Sequence, residues 1–181
     1  RGIIGSKKEI TYCCTVPTMA SAIMNHPKAK EIEIGKILGV MHMGAAPCPI
    51  ELMEQIKNAG IFLTEGWAMS ETACSGTGNP VMGMRKVGSI GIPRPDTDIK
   101  LVDLNTGETE VPQGEPGEII IKGPQVMKEY WNNPVETANQ LKDGWLSTGD
   151  IAIQDEDGYL FIIDRKKDMI IAGGFNIYPR E

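Results

Sequence analysis

Between Ile37 and Trp67 the chain passes from an apolar run to an amphipathic one and back, and this constrains the fold most. Ile37 to Met43 (ILGVMHM) is short and apolar, as a buried strand requires. Pro49 to Ala59 reads as a helix, with Pro49 near its first turn, Glu51 and Glu54 early, and Gly60 as its stop. Ile61 to Trp67 (IFLTEGW) reads as the next strand. Strand, helix and strand over so short a span predict a βαβ unit and a parallel sheet. Upstream, Thr18 to His26 (TMASAIMNH) has methionine and alanine at helical spacing and stops at Pro27, which cannot continue a helix.

The rest of the chain is β-rich. Ser89–Ile92, Ile99–Asp103, Glu118–Lys122, Ile151–Gln154 and Tyr159–Asp164 read as short strands. Turn signals separate them at Asn105-Thr106-Gly107, Gly114-Glu115-Pro116-Gly117 and Asp155-Glu156-Asp157-Gly158. One helix, Val135 to Leu141, interrupts them after Pro134. This spacing predicts a small barrel or curled sheet attached to the α/β layer. No internal repeat or low-complexity segment is visible.

Composition narrows the function classes. At 181 residues, 41% hydrophobic and 23% charged, the chain suits one ordinary domain or a piece of a larger one. Its 21 glycines and 12 prolines exceed average usage and promise tight turns and backbone-lined sites. Net charge is −6, and the only basic block is Arg165-Lys166-Lys167, which disfavours a nucleic-acid or anionic-membrane surface. No apolar run approaches the roughly 20 residues that span a bilayer. Lys7 and Lys8 break the apolar start, so no signal peptide is read there. Cys13, Cys14, Cys48 and Cys74 form no CxxC pair and lack a zinc-like histidine spacing, which suggests reduced thiols.

Familiar catalytic patterns are missing. Gly39 to Gly44 has phosphate-loop glycine spacing, but Ala45 stands where the lysine belongs. Gly76-Thr77-Gly78 lacks the third glycine of a dinucleotide fingerprint, and no G-x-S-x-G elbow occurs. His26 and His42 have no obvious carboxylate or serine partner, and His42 reads as a satisfied core residue.

Three segments in order carry a resemblance: Gly44-Ala45-Ala46-Pro47; Glu65-Gly66-Trp67-Ala68-Met69-Ser70-Glu71-Thr72; and a long C-terminal run. That run comprises Gly144-Trp145-Leu146-Ser147-Thr148-Gly149-Asp150, Asp157-Gly158-Tyr159, Asp164-Arg165-Lys166-Lys167-Asp168-Met169-Ile170-Ile171 and Gly173-Gly174-Phe175-Asn176-Ile177-Tyr178-Pro179. The set resembles the adenylate-forming superfamily, and within it the acyl-CoA synthetases, most of all bacterial and archaeal fatty-acid–CoA ligases. The likeness runs from Val16 to Glu181; the third segment is highly specific, the second moderately so, and the first weak alone.

The residue types suit what the resemblance implies. Ligands of an open parallel sheet sit outside its strand ends, where Gly44–Pro47 and Gly66–Glu71 can converge. Small residues at Gly44, Ala45 and Ala46 let a flat base approach backbone, and Trp67 offers an aromatic face. The resemblance implies that Gly44, Ala45, Ala46, Gly66 and Trp67 receive the nucleotide. It implies that the Ser70 hydroxyl contacts phosphate, in a position more often threonine, and that Glu71 holds Mg²⁺. By the same likeness Asp150, after a glycine at the close of a strand, accepts the ribose hydroxyls, and Arg165 contacts the sugar or phosphate. Lys167 matches a hinge about which a small C-terminal domain rotates, while Gly173 and Gly174 match a loop beside the pantetheine channel. The simpler readings are a buried tryptophan beside an exposed Glu71, a turn aspartate at Asp150, a solvated charge run at 164–168 and an ordinary glycine turn.

One departure bears on the acid. Ala68 stands where the family usually has glycine, so its methyl would narrow or reshape the acyl pocket; Ala68 and Met69 are the expected acyl contacts. The expected architecture is part of a parallel-sheet α/β subdomain (1–84), a distorted β-barrel-like subdomain (85–165), both of the AMP-binding domain, and a hinge with the start of a C-terminal domain (166–181). The implied activity is ATP-dependent, AMP-forming ligation of a medium- or long-chain fatty acid to CoA through an acyl-adenylate, with Mg²⁺. An acyl-AMP ligase, a carrier-loading enzyme and a non-catalytic adenine-nucleotide module are the alternatives. The family's phosphate loop and C-terminal catalytic lysine match nothing between Arg1 and Glu181, so the expectation is an internal fragment, inactive alone. A cytoplasmic or membrane-peripheral location is implied, and oligomeric state is not.

Overall fold

Parallel pairing is what the apolar runs produce in the computed structural model, which describes residues 11–172 and 175–179. β1 (Tyr12–Thr15) pairs in parallel with β2 (Val40–Met43), and β2 with β3 (Phe62–Trp67). Between them run α1 (Pro17–Met24), α2 (Pro27–Glu31) and α3 (Ile50–Asn58). Pro49 is the N-cap of α3, one residue outside the helix, and Glu51 lies in its first turn. α3 buries Leu52, Met53 and Ile56, and Ile56 joins Ala20, Leu38, Met41, Met43 and Ile61 in one core. Each large aliphatic group buried there contributes about 1.5–3 kcal/mol.

The strand expected over Ile37–Met43 is shorter at its start. The Ile37 and Leu38 amides donate to the Ile34 carbonyl, closing a 3₁₀ turn (Ile34–Lys36), and Leu38 is fully buried from that turn. The ladder begins only where Gly39 and Val40 both donate to the Thr11 carbonyl. Two antiparallel strands, β4 (Thr77–Gly78) and β5 (Ile92–Pro93), extend the sheet in the order β1-β2-β3-β4-β5.

The second sheet is antiparallel. β6 (Asp98–Val102) and β7 (Gly117–Lys122) precede α4 (Pro134–Gln140) and β8 (Leu141–Lys142); β9 (Trp145–Gln154) and β10 (Leu160–Arg165) follow. The order is β10-β9-β7-β6, with β8 against β9, so the sheet is open and two register breaks curl it. Beyond it β11 (Ile170–Ala172) and β12 (Phe175–Ile177) form a separate antiparallel pair.

One β9 expectation needs correcting. The short strand Ile151–Gln154 is the second half of a longer one, and Asp150 lies inside it rather than at its close. Glu118 pairs with Ile151 and Ile120 with Ser147, so Thr148, Gly149 and Asp150 bulge opposite Ile119. Gly149 takes φ +72° there, a conformation that favours glycine. The polar groups freed by the bulge find partners: Thr148 Oγ1 donates to the Ile119 carbonyl (2.7 Å), the Gly149 amide to Glu118 Oε1 (3.1 Å), and the Lys166 amide to the Gly149 carbonyl (2.8 Å).

The sheets are stitched at Gly91 and Leu160. The Leu160 amide donates to the Gly91 carbonyl (3.0 Å), and the Ile90 amide donates to the Leu160 carbonyl (2.9 Å). Ser89 Oγ donates to that same Leu160 carbonyl (2.8 Å) while accepting the Gly91 amide hydrogen (2.8 Å). Gly91 has φ +88°, and a Cβ there would lie 2.0 Å from the Gly78 carbonyl carbon. Glycine is the residue that lets the backbones meet.

Candidate active site

Where the sheets meet, a crevice of about 380 Å³ opens. One wall is the loop after β2, Gly44 to Pro47; another is Glu65 to Ala68 at the end of β3; Asp150 and Arg165 of the antiparallel sheet form the third. Gly88, Ile90 and Ile162 complete it beside Met43, Cys48 and Met53. Ala45 holds φ +67°, uncommon for a residue with a side chain, which sets the first loop's path.

Asp150 is the most constrained polar group of the crevice, only 5% exposed. Its Oδ2 accepts the Trp67 Nε1 hydrogen at 2.7 Å, and its Oδ1 lies 2.9 Å from Arg165 Nε. Arg165 is the cross-strand neighbour of Asp150 in the β9–β10 ladder, so register places the pair. The Trp67 ring packs on Gly76, where a Cβ would come within 2.8 Å of ring carbons.

Glu65 faces the same crevice. Its Oε2 accepts the Gly88 amide hydrogen (3.2 Å), and burial pushes its carboxyl above the ordinary range while that hydrogen bond pulls the other way. Beside it, burial first and the Glu65 charge second raise the Cys48 thiol to about 11, so it is protonated and not poised as a nucleophile. His42 is half-buried, with Nδ1 2.6 Å from Thr64 Oγ1; burial, and then the charge of Arg94, lowers its pKa.

Of the residues singled out in the sequence, Gly44, Ala45, Ala46, Gly66, Trp67, Ala68, Asp150 and Arg165 line this crevice together. Met69, Ser70 and Glu71 do not line it; they follow at a 3₁₀ turn (Ser70–Thr72), where Thr72 Oγ1 both accepts from the Met69 amide and donates to its carbonyl. Ala73 and Cys74 then take φ +49° and +58°, so the turn closes with two side-chain-bearing residues in the left-handed region. Ser70 is exposed and Glu71 half-buried. Glu71 Oε1 accepts the Tyr130 hydroxyl hydrogen at 2.9 Å; burial first, then Glu71, pushes that phenol up to about 12. Lys167 is exposed in the turn after β10 and borders a separate hollow of about 530 Å³ shared with Arg165, Lys166 and Trp145. Its neighbour Lys166 pairs with buried Glu118 (2.7 Å). Gly173 and Gly174 lie outside the described residues.

Sequence reasoning missed two partners. Glu65 sat within the motif already singled out, and its lone acidity between apolar Leu63 and Trp67 was the available signal. Tyr130 gave none, since its contact lies 59 residues away.

The family model for AMP-binding enzymes matches residues 6–131. The chain belongs to this family. A long-chain-fatty-acid–CoA ligase of Bacillus subtilis (strain 168) is 47% identical to this chain over 166 residues, 91% of the chain but 29% of its own length. A feruloyl-CoA synthase of Amycolatopsis sp is 41% identical over 179 residues, 97% of the chain and 35% of its own length. The chain therefore spans about a third of the length of these relatives. Among solved structures, O-succinylbenzoate coenzyme A synthetase of Bacillus subtilis, in complex with ATP and magnesium ion, superposes with a TM-score of 0.79 at 32% identity, covering 95% of this chain and 35% of that one. Both the mixed sheet with its helices and the curled antiparallel sheet belong to this family's architecture.

Proposed function

We propose that this chain forms the adenosine-binding part of an ATP-dependent, AMP-forming acyl-CoA ligase. The observation that carries the reading is Asp150: a buried carboxylate held from both sides by Trp67 and Arg165 at the wall of a backbone-lined crevice. An anion fixed this way suits the two hydroxyls of a ribose, and Gly44, Ala45, Ala46, Gly66 and Trp67 suit a flat base. The magnesium-and-ATP complex of the synthetase above supports it.

In the reaction, a carboxylate oxygen attacks the α-phosphorus of ATP and pyrophosphate leaves; the CoA thiol then attacks the acyl carbon and AMP leaves. Such steps depend on positioning and charge neutralisation rather than a protein nucleophile. Asp150 and Arg165 orient the sugar, and the Ser70 hydroxyl donates to phosphate. Mg²⁺ would neutralise phosphate charge when bound at Glu71. The donor fits in kind: Glu71 offers a single half-buried carboxylate, and magnesium favours one or two carboxylates together with phosphates and waters. In the same reading Lys167 serves as the hinge, Gly173 and Gly174 lie on the pantetheine side, and the subdomains divide at 84 and 165.

The acid is a medium- or long-chain fatty acid, supported by the Bacillus ligase, with Ala68 and Met69 as its contacts. Ala68 lines the crevice and Met69 lies just past it. A cytoplasmic or membrane-peripheral location goes with this reading, and no described helix is long and apolar enough to cross a membrane. The test is pyrophosphate release by the full-length protein across fatty acids, with and without CoA. Acid-dependent release ending in a thioester is expected. No release with any acid overturns the reading, and adenylate accumulating without thioester turns it into an acyl-AMP ligase.

A further inference from the structure

The turn that carries Glu71 is fastened to a segment from far along the chain. Glu71 Oε1 accepts the Tyr130 hydroxyl hydrogen (2.9 Å), and the Met127 amide donates to the Glu71 carbonyl (2.7 Å). The Tyr130 backbone is itself held: its amide donates to Thr137 Oγ1 (2.9 Å), that hydroxyl donates to the Asn133 carbonyl (2.9 Å), and the Asn133 amide donates to the Tyr130 carbonyl (3.2 Å). Asn133 also caps α4, its Oδ1 accepting the Glu136 amide hydrogen (3.2 Å). A helix-capping turn therefore presents the phenol to the carboxylate.

A glutamate side chain has three free rotations. Where one carboxylate is the only protein ligand, no second protein donor holds it in place for the cation. A donor on one oxygen removes that freedom and leaves the other oxygen for monodentate binding, which suits the strict octahedral demand of magnesium. We propose that Tyr130 is a positioning residue for magnesium: it holds Glu71 Oε1 and leaves Oε2 to the cation. The inference rests on the reading of Glu71 as the magnesium carboxylate.

The test uses the full-length protein and calorimetric nucleotide binding rather than turnover. For Tyr130→Phe, the Mg²⁺ concentration that half-maximally tightens ATP binding should rise about tenfold, as expected when a ligand's hydrogen-bond partner is removed. AMP affinity in EDTA should stay within about twofold, because the adenosine crevice is untouched. A purely structural role would weaken AMP and Mg²⁺-dependent ATP binding together; that result, or no change in either, overturns the proposal. Thr137→Val, which keeps the phenol and loosens its turn, should shift the Mg²⁺ dependence less and in the same direction, so a poorly folding Tyr130→Phe leaves the idea testable. Wild-type binding that ignores Mg²⁺, or Glu71→Gln binding with wild-type Mg²⁺ dependence, would instead remove the reading of Glu71 itself.

Discussion

On the mixed sheet, Gly44–Pro47 follow the end of β2 and Glu65–Ala68 run through the last residues of β3 and out of it, whereas on the antiparallel sheet Asp150 lies inside β9 as the ladder partner of Arg165, the last residue of β10. The first wall offers backbone and small side chains, and its shape comes from loop conformations such as Ala45 at φ +67°. The second offers a charged pair whose spacing is set by register and by the Thr148–Asp150 bulge. The ends of parallel strands thus supply room, and a cross-strand ladder pair supplies fixed charge. Trp67 links the walls, extending from β3 to donate to Asp150.

Breaking the join between the walls should have the largest effect. Gly91→Val forces a side chain into φ +88° and onto the Gly78 backbone, so a loss on the order of 4 kcal/mol is expected in chemical denaturation. A loss under about 1 kcal/mol would mean that the stitch between the sheets is dispensable.

Disabling the charged wall alone comes next. Asp150→Asn keeps the shape but turns an acceptor-only carboxylate into an amide facing two donors, Trp67 Nε1 and Arg165 Nε. AMP affinity should fall by a factor on the order of 100, the equivalent of about 3 kcal/mol for a charge-assisted hydrogen bond. Titration calorimetry checks it, and unchanged affinity would remove Asp150 from the nucleotide site.

Cutting only the link is a finer probe. Trp67→Phe keeps an aromatic ring and deletes the N–H that holds Asp150 Oδ2. Affinity for AMP should drop about fivefold, near the 1 kcal/mol of an ordinary hydrogen bond. The same substitution in an Asp150→Asn background should cost less than it does alone, as coupling requires.

The smallest effect tests the backbone-lined wall. Burial raises the Glu65 carboxyl in the folded protein, so folding disfavours its ionised form. That penalty is absent below the ordinary carboxylate range, grows as pH rises toward the raised folded value, and then stays constant. Glu65→Gln, whose amide oxygen still accepts the Gly88 hydrogen, should therefore unfold at slightly higher denaturant than wild type at neutral pH. The gap should close near pH 3, and a gap that widens on acidification would contradict the assigned direction.

Legibility followed locality. The helix that became α3 and its flanking strands were readable because their apolar spacing is set within a few residues. β1 was not, because Tyr-Cys-Cys-Thr is short and mixed and becomes a strand through its ladder with β2. The crevice was partly readable: the motifs named Trp67, Asp150 and Arg165, but not that the first two touch across 83 residues. Asp150 was misplaced at a strand end because Gly149 reads as a stop, while in the fold Glu118 and Lys166 satisfy the bulge and let β9 run on.

The sequence by itself determined the βαβ unit, the β-rich remainder and the family, since each depends on short-range periodicity or on contiguous motifs. Tertiary structure decided which motifs meet: the stitch at Gly91 and Leu160 draws two sheets around one crevice, seats Asp150 between Trp67 and Arg165, and ties Glu71 to Tyr130. Those contacts join residues far apart in the chain, and their geometry comes from register, bulges and loop conformations that exist only once the sheets have packed.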